Sequence, residues 1–397
     1  MKNGRKHKKL IAVLLCLSLI AILLIGCDSS RSRKTSSSNE LIENDKEDEN
    51  GMNRNKHIEL FDGINATIKE DGSIYIWGAD DSFTDTASLK NAVSVSVGKA
   101  HIGVITQEGS LYMWGDNSCG QLGNGTTRGT LEPKKIMDNV SYVELGRYHS
   151  GAVTTDGELY MWGANSYGQL GDGTTTGTLK PKKIMDNCVQ FSTSYRHTGA
   201  VTKDGSLYTW GEGTYGELGN GTKSDSLEPT KIMDDVVQVS LGFLHGSAIT
   251  KDGNLYLWGD NDYGQIGDGT DTVCLSPKFI MGNVERVSLG THHSGAITKD
   301  GELYMWGDPY KGAIGYGESN NKDTMYPLQI MTNIKFSELS LGDSYSSAVT
   351  EDGTLYMWGN NEDCRLGVDN YGKGEGNEAS RSAYYAPVKL MDGIKVK

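Results

Sequence analysis

The sequence predicts an all-β protein, a seven-bladed β-propeller built from four-stranded antiparallel blades. All seven tryptophans stand in a Trp-Gly dipeptide, and the four central intervals between them are each 48 residues. A period in that range indicates one supersecondary unit copied along the chain. The chain also has 52 glycines and only seven prolines, a composition typical of many short strands with glycine turns. The tryptophans are Trp77, Trp114, Trp162, Trp210, Trp258, Trp306 and Trp358.

One repeat shows the four strands of a blade. Val236–Leu241 alternates as a first strand, and His245–Thr250 reads as a second. We interpret Asp252-Gly253 as a tight turn of the primed type, because glycine accepts the positive φ that such a turn needs. A third strand is predicted at Asn254–Trp258, and a fourth at Lys278–Met281 beyond a glycine-rich return. Four antiparallel strands make one propeller blade.

The repeat resembles the RCC1 repeat, the unit of the regulator of chromosome condensation family. The resemblance is carried by segments such as SLYMWGDNSCGQLGNGT (Ser110–Thr126) and ELYMWGANSYGQLGDGT (Glu158–Thr174). Its elements are G-x-x-H, DG, WG and GQLG together, and it covers roughly residues 57–397. The resemblance implies a seven-bladed propeller.

The two ends of the repeat region predict a shared ring closure. Val388–Lys397 matches a fourth strand plus the start of another first strand, and Ile58–Trp77 matches the remaining strands of that last blade. Closure of this kind removes a free sheet edge. The repeat between Trp77 and Trp114 lacks the GQLG return, so we expect its outer strand to be short or irregular.

The N-terminal residues predict export and lipid anchoring. Residues 1–27 form a signal peptide with a basic start and an apolar run from Leu10 to Ile25, which is short for a membrane span. The run ends in a segment that resembles the bacterial lipobox, which implies lipidation of Cys27. Residues 28–55 are polar and charged, and we interpret them as a disordered tether to the propeller at 56–397. The predicted location is the cell membrane, lipid-anchored, on its extracytoplasmic face.

Charge and cysteine usage narrow the partners. The chain carries −13, and residues 1–27 hold five basic residues and no acid, which leaves −18 for the rest. The propeller region has no Lys/Arg cluster, so we exclude nucleic acid as a partner. We expect no cofactor, no metal and a monomer. We also expect mostly unpaired cysteines, because the cysteines outside the signal do not recur at one position of the repeat. These are Cys119, Cys188, Cys274 and Cys364.

Recurring histidines are predicted to be packing residues. They lie 13 residues before a Trp-Gly, and Ile64 and Tyr345 hold the equivalent positions in the other two repeats. A ring of metal ligands is the competing interpretation, but replacement by Ile and Tyr favours packing. No catalytic residue is predicted, because the repeated acids of the Asp-Gly turns single out no acid/base pair. The histidines are His101, His149, His197, His245 and His293.

The candidate site lies in the residues that vary between copies. Two variable positions separate each first strand from the recurring histidine, and in a propeller such loops should emerge on one face. Aromatic and Arg side chains on exposed loops are typical of interface hot spots. The predicted partner-binding residues are Lys99, Arg147, Tyr148, Tyr195, Arg196, Phe243, Leu244 and His292. A second variable set follows Trp-Gly, where binding and packing on the blade remain open: Tyr167, Tyr215, Tyr263 and Tyr310.

Function is predicted as non-enzymatic binding of another protein or an envelope glycan through one propeller face. An alternative is inhibition of a secreted enzyme, because the chain resembles secreted bacterial RCC1-like propellers that inhibit β-lactamases. A further alternative is guanine-nucleotide exchange, the activity for which the RCC1 family is named, although export argues against it. A lyase or hydrolase would need an isolated acid or His that breaks the repeat at the channel, and the sequence singles out none.

Overall fold

A computed structural model describes residues 56–78, 89–317, 323–368 and 382–396. Within these residues, 27 strands form seven antiparallel sheets, six with four strands and one with three. Each sheet is one blade, and its strands follow one another in chain order from the central channel outward. The predicted seven-bladed propeller is therefore confirmed. No helix among the described residues is long and apolar enough to cross a membrane.

The strand bounds repeat closely from blade to blade. Blade 1 consists of β1 (Ile58–Phe61), β2 (Ile64–Ile68) and β3 (Ile74–Gly78); blade 2 of β4 (Ala92–Val97), β5 (His101–Thr106), β6 (Leu111–Gly115) and β7 (Thr130–Met137); blade 3 of β8 (Val140–Leu145), β9 (His149–Thr154), β10 (Leu159–Gly163) and β11 (Thr178–Met185); blade 4 of β12 (Cys188–Thr193), β13 (His197–Thr202), β14 (Leu207–Gly211) and β15 (Ser226–Met233). Blade 5 consists of β16 (Val236–Leu241), β17 (His245–Thr250), β18 (Leu255–Gly259) and β19 (Cys274–Met281); blade 6 of β20 (Val284–Leu289), β21 (His293–Thr298), β22 (Leu303–Gly307) and β23 (Thr324–Ile330); blade 7 of β24 (Phe336–Leu341), β25 (Tyr345–Thr350), β26 (Leu355–Asn360) and β27 (Ala383–Met391). Two short 3-10 helices cover Tyr310–Gly312 and Glu362–Cys364.

Two local predictions were wrong. The fourth strand of blade 5 begins at Cys274 rather than at the predicted Lys278, and it includes Pro277. An outer edge strand tolerates proline because no neighbouring strand needs an N–H donor on its outer side. The Asp252-Gly253 turn is not of the primed type, because Gly253 has a φ of 80° while Asp252 has no positive φ. The amide of Gly253 donates to the carbonyl of Thr250 at 2.8 Å, so the hairpin loop has three residues with glycine in the left-handed position.

The hydrophobic core lies between neighbouring blades. One cluster joins Leu111 and Met113 of blade 2 to Val143 and Trp162 of blade 3, and equivalent clusters occur around the ring. The last glycine of each GQLG return lies against the tryptophan of the next blade. A Cβ on Gly123 would come 2.8 Å from the indole nitrogen of Trp162, so only glycine fits there. The Trp-Gly and GQLG elements are therefore two halves of one interblade contact.

The ring closes through residues from both ends of the described chain. Ile394 forms an antiparallel bridge with Lys69, directly after β2, and thus takes the place of the first residue of the first strand of blade 1. The amide of Lys395 donates to the carbonyl of Ile68 at 3.1 Å. The indole of Trp77 donates to the carbonyl of Arg365 in blade 7 at 3.1 Å. The predicted shared closure is confirmed.

Some sequence predictions fall on residues outside this description. Cys27, the signal peptide and the tether at 28–55 lie outside the described residues, as does much of the segment between Trp77 and β4. The four propeller cysteines are described, and no disulfide bond joins any of them.

Candidate functional site

The loops between the first and second strands of the blades form one surface, which we call the loop face. Each loop of blades 2 to 7 places two variable residues after a small residue, such as Gly146 or Ser194. Neighbouring loops are hydrogen-bonded to each other. The amide of Arg147 donates to the carbonyl of Ser194 at 3.2 Å, and that of Phe243 donates to Gly290 at 3.3 Å. The variable residues of successive blades are thus held side by side around the channel.

Four rings on the loop face form what we call the aromatic arc: Tyr148, Tyr195, Phe243 and His292. The ring of Tyr195 meets that of Phe243 edge-on at 4.5 Å, and Phe243 meets His292 at 6.0 Å. The guanidinium of Arg147 lies between the two tyrosines, 5.5 Å from the ring centre of Tyr148 and 4.7 Å from that of Tyr195. The arc therefore runs without a gap from blade 3 to blade 6.

Lys99 of blade 2 extends this array by one more blade. Its ammonium group donates to the hydroxyl of Tyr148 at 3.1 Å and lies 5.5 Å from the centre of that ring. This hydrogen bond lowers the pKa of the Tyr148 phenol. Six of the eight predicted site residues are thus joined in one chain of contacts: Lys99, Arg147, Tyr148, Tyr195, Phe243 and His292.

The remaining two predicted residues lie beside the arc. Arg196 is exposed, stacks 4.3 Å from the ring centre of Tyr167 and forms an ion pair with Glu212 at 3.3 Å. Leu244 is half-buried, and its carbonyl accepts a hydrogen bond from the amide of Asp260 at 2.9 Å. The contact with Arg196 gives Tyr167, a member of the second variable set, a place at the edge of the loop face.

Two other tyrosines of the second variable set also lie near charged or aromatic partners. The ring of Tyr263 lies 4.7 Å from His292, so it continues the aromatic arc outward. Tyr310 is 52% exposed, with the ammonium group of Lys311 at 5.5 Å from its ring centre. Tyr215 is exposed as well.

The recurring histidines are buried hydrogen-bonding residues between blades. Burial lowers the pKa of His101 to about 4 and that of His149, His197 and His293 to about 3, so these imidazoles are neutral at pH 7. Their ring nitrogens meet hydroxyl groups: His101 Nε2 with Ser150 Oγ at 3.0 Å, His245 Nε2 with Ser294 Oγ at 3.0 Å, and His293 Nε2 with Ser346 Oγ at 2.9 Å. Tyr345 in the equivalent position donates to Asn65 Oδ1 at 2.8 Å. Packing is therefore the correct interpretation of this repeated position.

The channel below the loop face is lined by the first strands, whose inner edge needs hydrogen-bond partners. In blades 2, 4, 6 and 7, a serine near the end of the first strand accepts a hydrogen bond from an amide of the next blade. These bonds are Leu145 N to Ser96 Oγ at 3.0 Å, and Leu241 N to Ser192 Oγ, Leu341 N to Ser288 Oγ and Leu60 N to Ser340 Oγ, each at 3.1 Å. We call this set the serine girdle.

Two glutamates break the serine girdle. Glu144 replaces the serine of blade 3, and its Oε1 still accepts from the amide of Thr193 at 3.2 Å. Glu59 holds the equivalent position in blade 1. The ammonium group of Lys56 lies 3.0 Å from both carboxylates. Burial, with Glu144 nearby, raises the pKa of Glu59 to about 7, although Lys56 acts in the opposite direction.

A cavity opens where the channel meets the loop face, and we call it the mouth cavity. Its space of about 550 Å³ is partly open to solvent. Its wall includes Phe61, Tyr195 and Phe243, and its rim includes Asp62 and Asp343. Phe61 stacks on Tyr195 with 5.7 Å between ring centres, so blade 1 joins the arc across the channel.

Sequence reasoning missed the residues that blade 1 and the channel contribute. Blade 1 has Ile64 at the position of the recurring histidine, so counting from histidine did not identify Phe61 and Asp62 as loop residues. Glu144 could have been found, because the first strands of blades 2 and 4 to 7 carry serine at its position. No group of three His, Cys, Asp or Glu side chains within the described ranges is placed to hold a metal ion.

Together these features define a repeat propeller with a diversified loop face around a polar channel. The family model for the RCC1-like domain matches residues 86–390. The chain therefore belongs to the RCC1-like domain family, as the repeat motifs predicted.

Solved structures show the same fold. Yeast RCC1 (Prp20), solved with Kap60 bound, has a TM-score of 0.66 and 24% identity, over 76% of this chain and 75% of that one. A structure of Prp20p from Saccharomyces cerevisiae, described together with its binding properties to Gsp1p and histones, has a TM-score of 0.65 and 24% identity, over 76% of this chain and 77% of that one. Human WBSCR16 has a TM-score of 0.67 and 23% identity, over 81% of this chain and 84% of that one. At these identities the likeness concerns the fold.

Similar curated proteins match only locally. The X-linked retinitis pigmentosa GTPase regulators of dog (Canis lupus familiaris) and human (Homo sapiens) are each 36% identical over 55 residues, which is 14% of this chain. The match spans 6% of the canine protein and 5% of the human one. The chain thus matches a small part of these relatives' length.

Proposed function

We propose that this protein is a non-enzymatic binding module whose loop face holds another protein or an envelope component. The observation that supports this most is the aromatic arc with its intercalated cations. Tyr and Arg are enriched among interface hot spots. Stacked rings also lose little conformational freedom on binding, because neighbouring rings and cations already hold them.

Family membership is consistent with a protein partner. Two of the related structures concern protein binding, one of yeast RCC1 with Kap60 and one of Prp20p with Gsp1p and histones. The variable loop residues of this chain differ between its own blades, which is how one repeated scaffold acquires a specific surface. The identity of the partner therefore depends on the loop residues of this chain. Affinity capture is the experiment that can identify it.

Among the described channel residues, the glutamates form no separate acid/base pair with an evident task. Glu59 and Glu144 break the girdle, but Lys56 lies between them and Glu144 still accepts the amide that the girdle serine would accept. Through Lys56, the two glutamates link the first strands of blades 1 and 3. This supports binding rather than catalysis as the role of the channel.

The location we propose is the outer side of the cell membrane, with a lipid anchor on Cys27 and a tether at 28–55. Strand β1 runs from Ile58 to Phe61, and Phe61 lies at the loop face. The chain therefore enters blade 1 from the opposite face.

Partner capture tests the proposal. The five-residue loop variant R147A/Y148A/Y195A/R196A/F243A is compared with wild type in affinity capture from the native cell envelope, followed by mass spectrometry. The matched control is T155A/K203A/K251A, which changes exposed residues at the far end of the second strands of blades 3 to 5.

We expect the loop variant to bind the captured partner at least about a hundredfold more weakly, because hot-spot residues cost 2 kcal/mol or more each when truncated, about 2 kcal/mol being roughly thirtyfold. The control should bind as wild type does. Equal capture by the loop variant and wild type would show that the loop face is not the binding surface. The identity of the captured protein separates a secreted enzyme from other envelope components.

A further inference from the structure

The glycine-rich return of blade 4 carries glutamate at a position where those of blades 2, 3 and 5 carry glutamine. In blade 2, the side-chain oxygen of Gln121 accepts from the amide of Cys119 at 2.9 Å, and its side-chain nitrogen donates to Asp116 at 2.8 Å. In blade 5, Gln265 makes the same two kinds of bond, at 2.9 and 2.8 Å, with Asp260 as the acceptor. The position therefore uses one acceptor and one donor in these two blades.

Glu217 of blade 4 supplies the acceptor, but as a carboxylate it lacks the donor. Its Oε2 accepts from the amide of Tyr215 at 2.7 Å, as the glutamine oxygens accept in the other blades. Its Oε1 is buried and has no hydrogen-bond partner among the residues that the structure describes. A buried charged oxygen without a partner is costly. A protonated carboxyl has one O–H donor and therefore matches glutamine.

The charged groups around Glu217 favour its protonated form. Glu212 holds the position of Asp116 in blade 2, so the repeat provides it as the acceptor for this donor. Asp225 adds a further carboxylate, which accepts from the amide of Gly213 at 3.0 Å. Burial, and with it the charges of Glu212 and Asp225, raises the pKa of Glu217 to about 7, although backbone hydrogen bonds act in the opposite direction.

The ionisable groups of blade 5 at the same level are neutral or bonded within their own blade. The indole of Trp258 donates to the backbone carbonyl of Glu217 at 2.9 Å. His245, on the strand paired with that of Trp258, is neutral at pH 7 because burial lowers its pKa well below the usual value. Asp260 accepts from Gln265 of its own return. The protonation of Glu217 is therefore governed mainly from within blade 4.

Glu212 connects this buried carboxyl to the loop face. Its carboxylate lies 3.3 Å from the guanidinium of Arg196, and its amide donates to the carbonyl of Arg196 at 3.0 Å. The Arg196 side chain is 46% exposed and stacks on Tyr167. The charge on Glu217 therefore acts, through Glu212, on a predicted partner-binding residue.

The return of blade 4 is also less firmly braced than its neighbours. Asn117 Oδ1 accepts from the amide of Leu122 at 2.9 Å, and Asn165 and Asn261 make the equivalent bond in blades 3 and 5. Blade 4 has Gly213 at this position, so its return lacks that side-chain bond. A local shift of this return therefore breaks fewer hydrogen bonds than it would in blades 2, 3 and 5.

We propose that Glu217 is a proton switch for the loop face, which leaves Arg196 exposed when protonated and draws it inward when ionised. This inference rests on the proposed function and concerns the regulation of its site. In the protonated state, Oε1–H donates to Glu212, and Arg196 stays stacked on Tyr167. Loss of this proton to water leaves two neighbouring carboxylates that repel each other. Arg196, which already pairs with one of them, then neutralises both and is less available to a partner.

NMR of the full chain tests the switch directly. Glutamate side-chain carboxyl carbons are labelled, and the signal that disappears in Glu217→Gln belongs to Glu217. We expect this signal to titrate with a midpoint near pH 7, and the Arg196 Nε–H signal to shift with the same midpoint. In Glu217→Gln the Arg196 signal should stay unchanged between pH 6 and 8, because glutamine supplies the donor at every pH.

The glutamine variant is expected to fold, because three other blades carry glutamine at this position. The matched control is Glu228→Gln, at an exposed position on the outer strand of the same blade, and both titrations should remain as in wild type. An Arg196 signal that shifts in Glu217→Gln as it does in wild type overturns the proposal. A Glu217 midpoint below about pH 5, close to that of an ordinary glutamate, overturns it as well.

Partner capture separates this inference from the proposed function. Between pH 6 and pH 8, wild type should lose about threefold more affinity for the captured partner than Glu217→Gln does, a change of the size of one exposed ion pair. Equal losses show that the switch is wrong, while the loop-face function stands if the five-residue loop variant fails to bind. Capture by the five-residue loop variant as by wild type shows that the loop face itself is wrong.

Discussion

Trp162 of blade 3 donates its indole N–H to the backbone carbonyl of Gln121 in blade 2, at 2.8 Å. The same bond recurs around the ring, as from Trp210 to Gln169 at 2.9 Å and from Trp258 to Glu217 at 2.9 Å. Trp162, Trp210 and Trp258 are fully buried against the glycine-rich return of the preceding blade. The repeated tryptophan thus joins neighbouring blades by both shape and hydrogen bonding.

Trp162→Phe should lower the free energy of unfolding by about 2 kcal/mol, because it removes the indole donor and leaves a cavity between blades 2 and 3. Urea denaturation followed by circular dichroism measures this. Tyr160→Phe is the matched control on the same strand, since its hydroxyl bonds Glu158 at the surface, and it should cost less than about 0.5 kcal/mol. Equal costs for the two variants would contradict the interblade role.

His101 should make stability fall in acid. Burial lowers its pKa to about 4 in the folded protein, whereas an unfolded histidine titrates near 6.5. The unfolded chain therefore binds the extra proton as pH falls below about 6.5, and stability is lost between there and about 4. Between pH 7 and pH 5, wild type should lose about 2 kcal/mol more unfolding free energy than His101→Gln. Parallel pH curves for the two proteins would rule out this origin.

Glu59 should change stability with pH in the direction opposite to His101. Its folded pKa of about 7 lies above the ordinary value of a glutamate, so the folded protein binds the extra proton between about pH 4.5 and 7. Its contribution to stability is present at low pH and is lost as pH rises through that window. The stability of wild type relative to Glu59→Gln should therefore fall from pH 4.5 to pH 7.5 in urea denaturation. A relative stability that rises with pH would show that Lys56 outweighs burial at this carboxyl.

Ile394 should be essential to ring closure. Its side chain is fully buried, and its backbone bridges Lys69 of blade 1. Ile394→Ala should cost about 3 kcal/mol in unfolding free energy, because it leaves a cavity where the two ends of the domain meet. The neighbouring Lys395→Ala, at a partly exposed position, serves as control and should cost well under half as much. Thermal unfolding of both variants checks the difference, and equal stability would contradict the closure.

Regular features of the propeller could be predicted from sequence because each is repeated. The 48-residue period of Trp-Gly predicts the blades. The alternation of apolar and polar residues predicts first strands such as Val236–Leu241 at their observed bounds. The fourth strand was predicted too short, because Pro277 was taken as a boundary although an outer edge accepts proline. The turn at Gly253 was assigned to the wrong type, because a two-letter motif does not show how many residues the hairpin spans.

The candidate site was partly predictable for the same reason. Arg147, Tyr195 and Phe243 stand out as variation at a repeated position, and the structure joins them through ring contacts. The rim residue Asp62 could not be found this way, because blade 1 has no histidine from which to count. Nor could the contact of Lys56 with Glu144, since it joins blades that are not adjacent in the chain.

The first strand of blade 1 is assembled from both ends of the domain, with Ile394 at its start and Ile58–Phe61 after it. During synthesis or threading through a membrane pore, N-terminal end first, six blades can form while this one still lacks its opening residue. The ring is therefore completed only when the last few residues arrive. A chain stopped short of residue 394 lacks the bridge to Lys69 at the start of this strand, although blades 1 and 7 keep contacts such as that of Trp77 with Arg365.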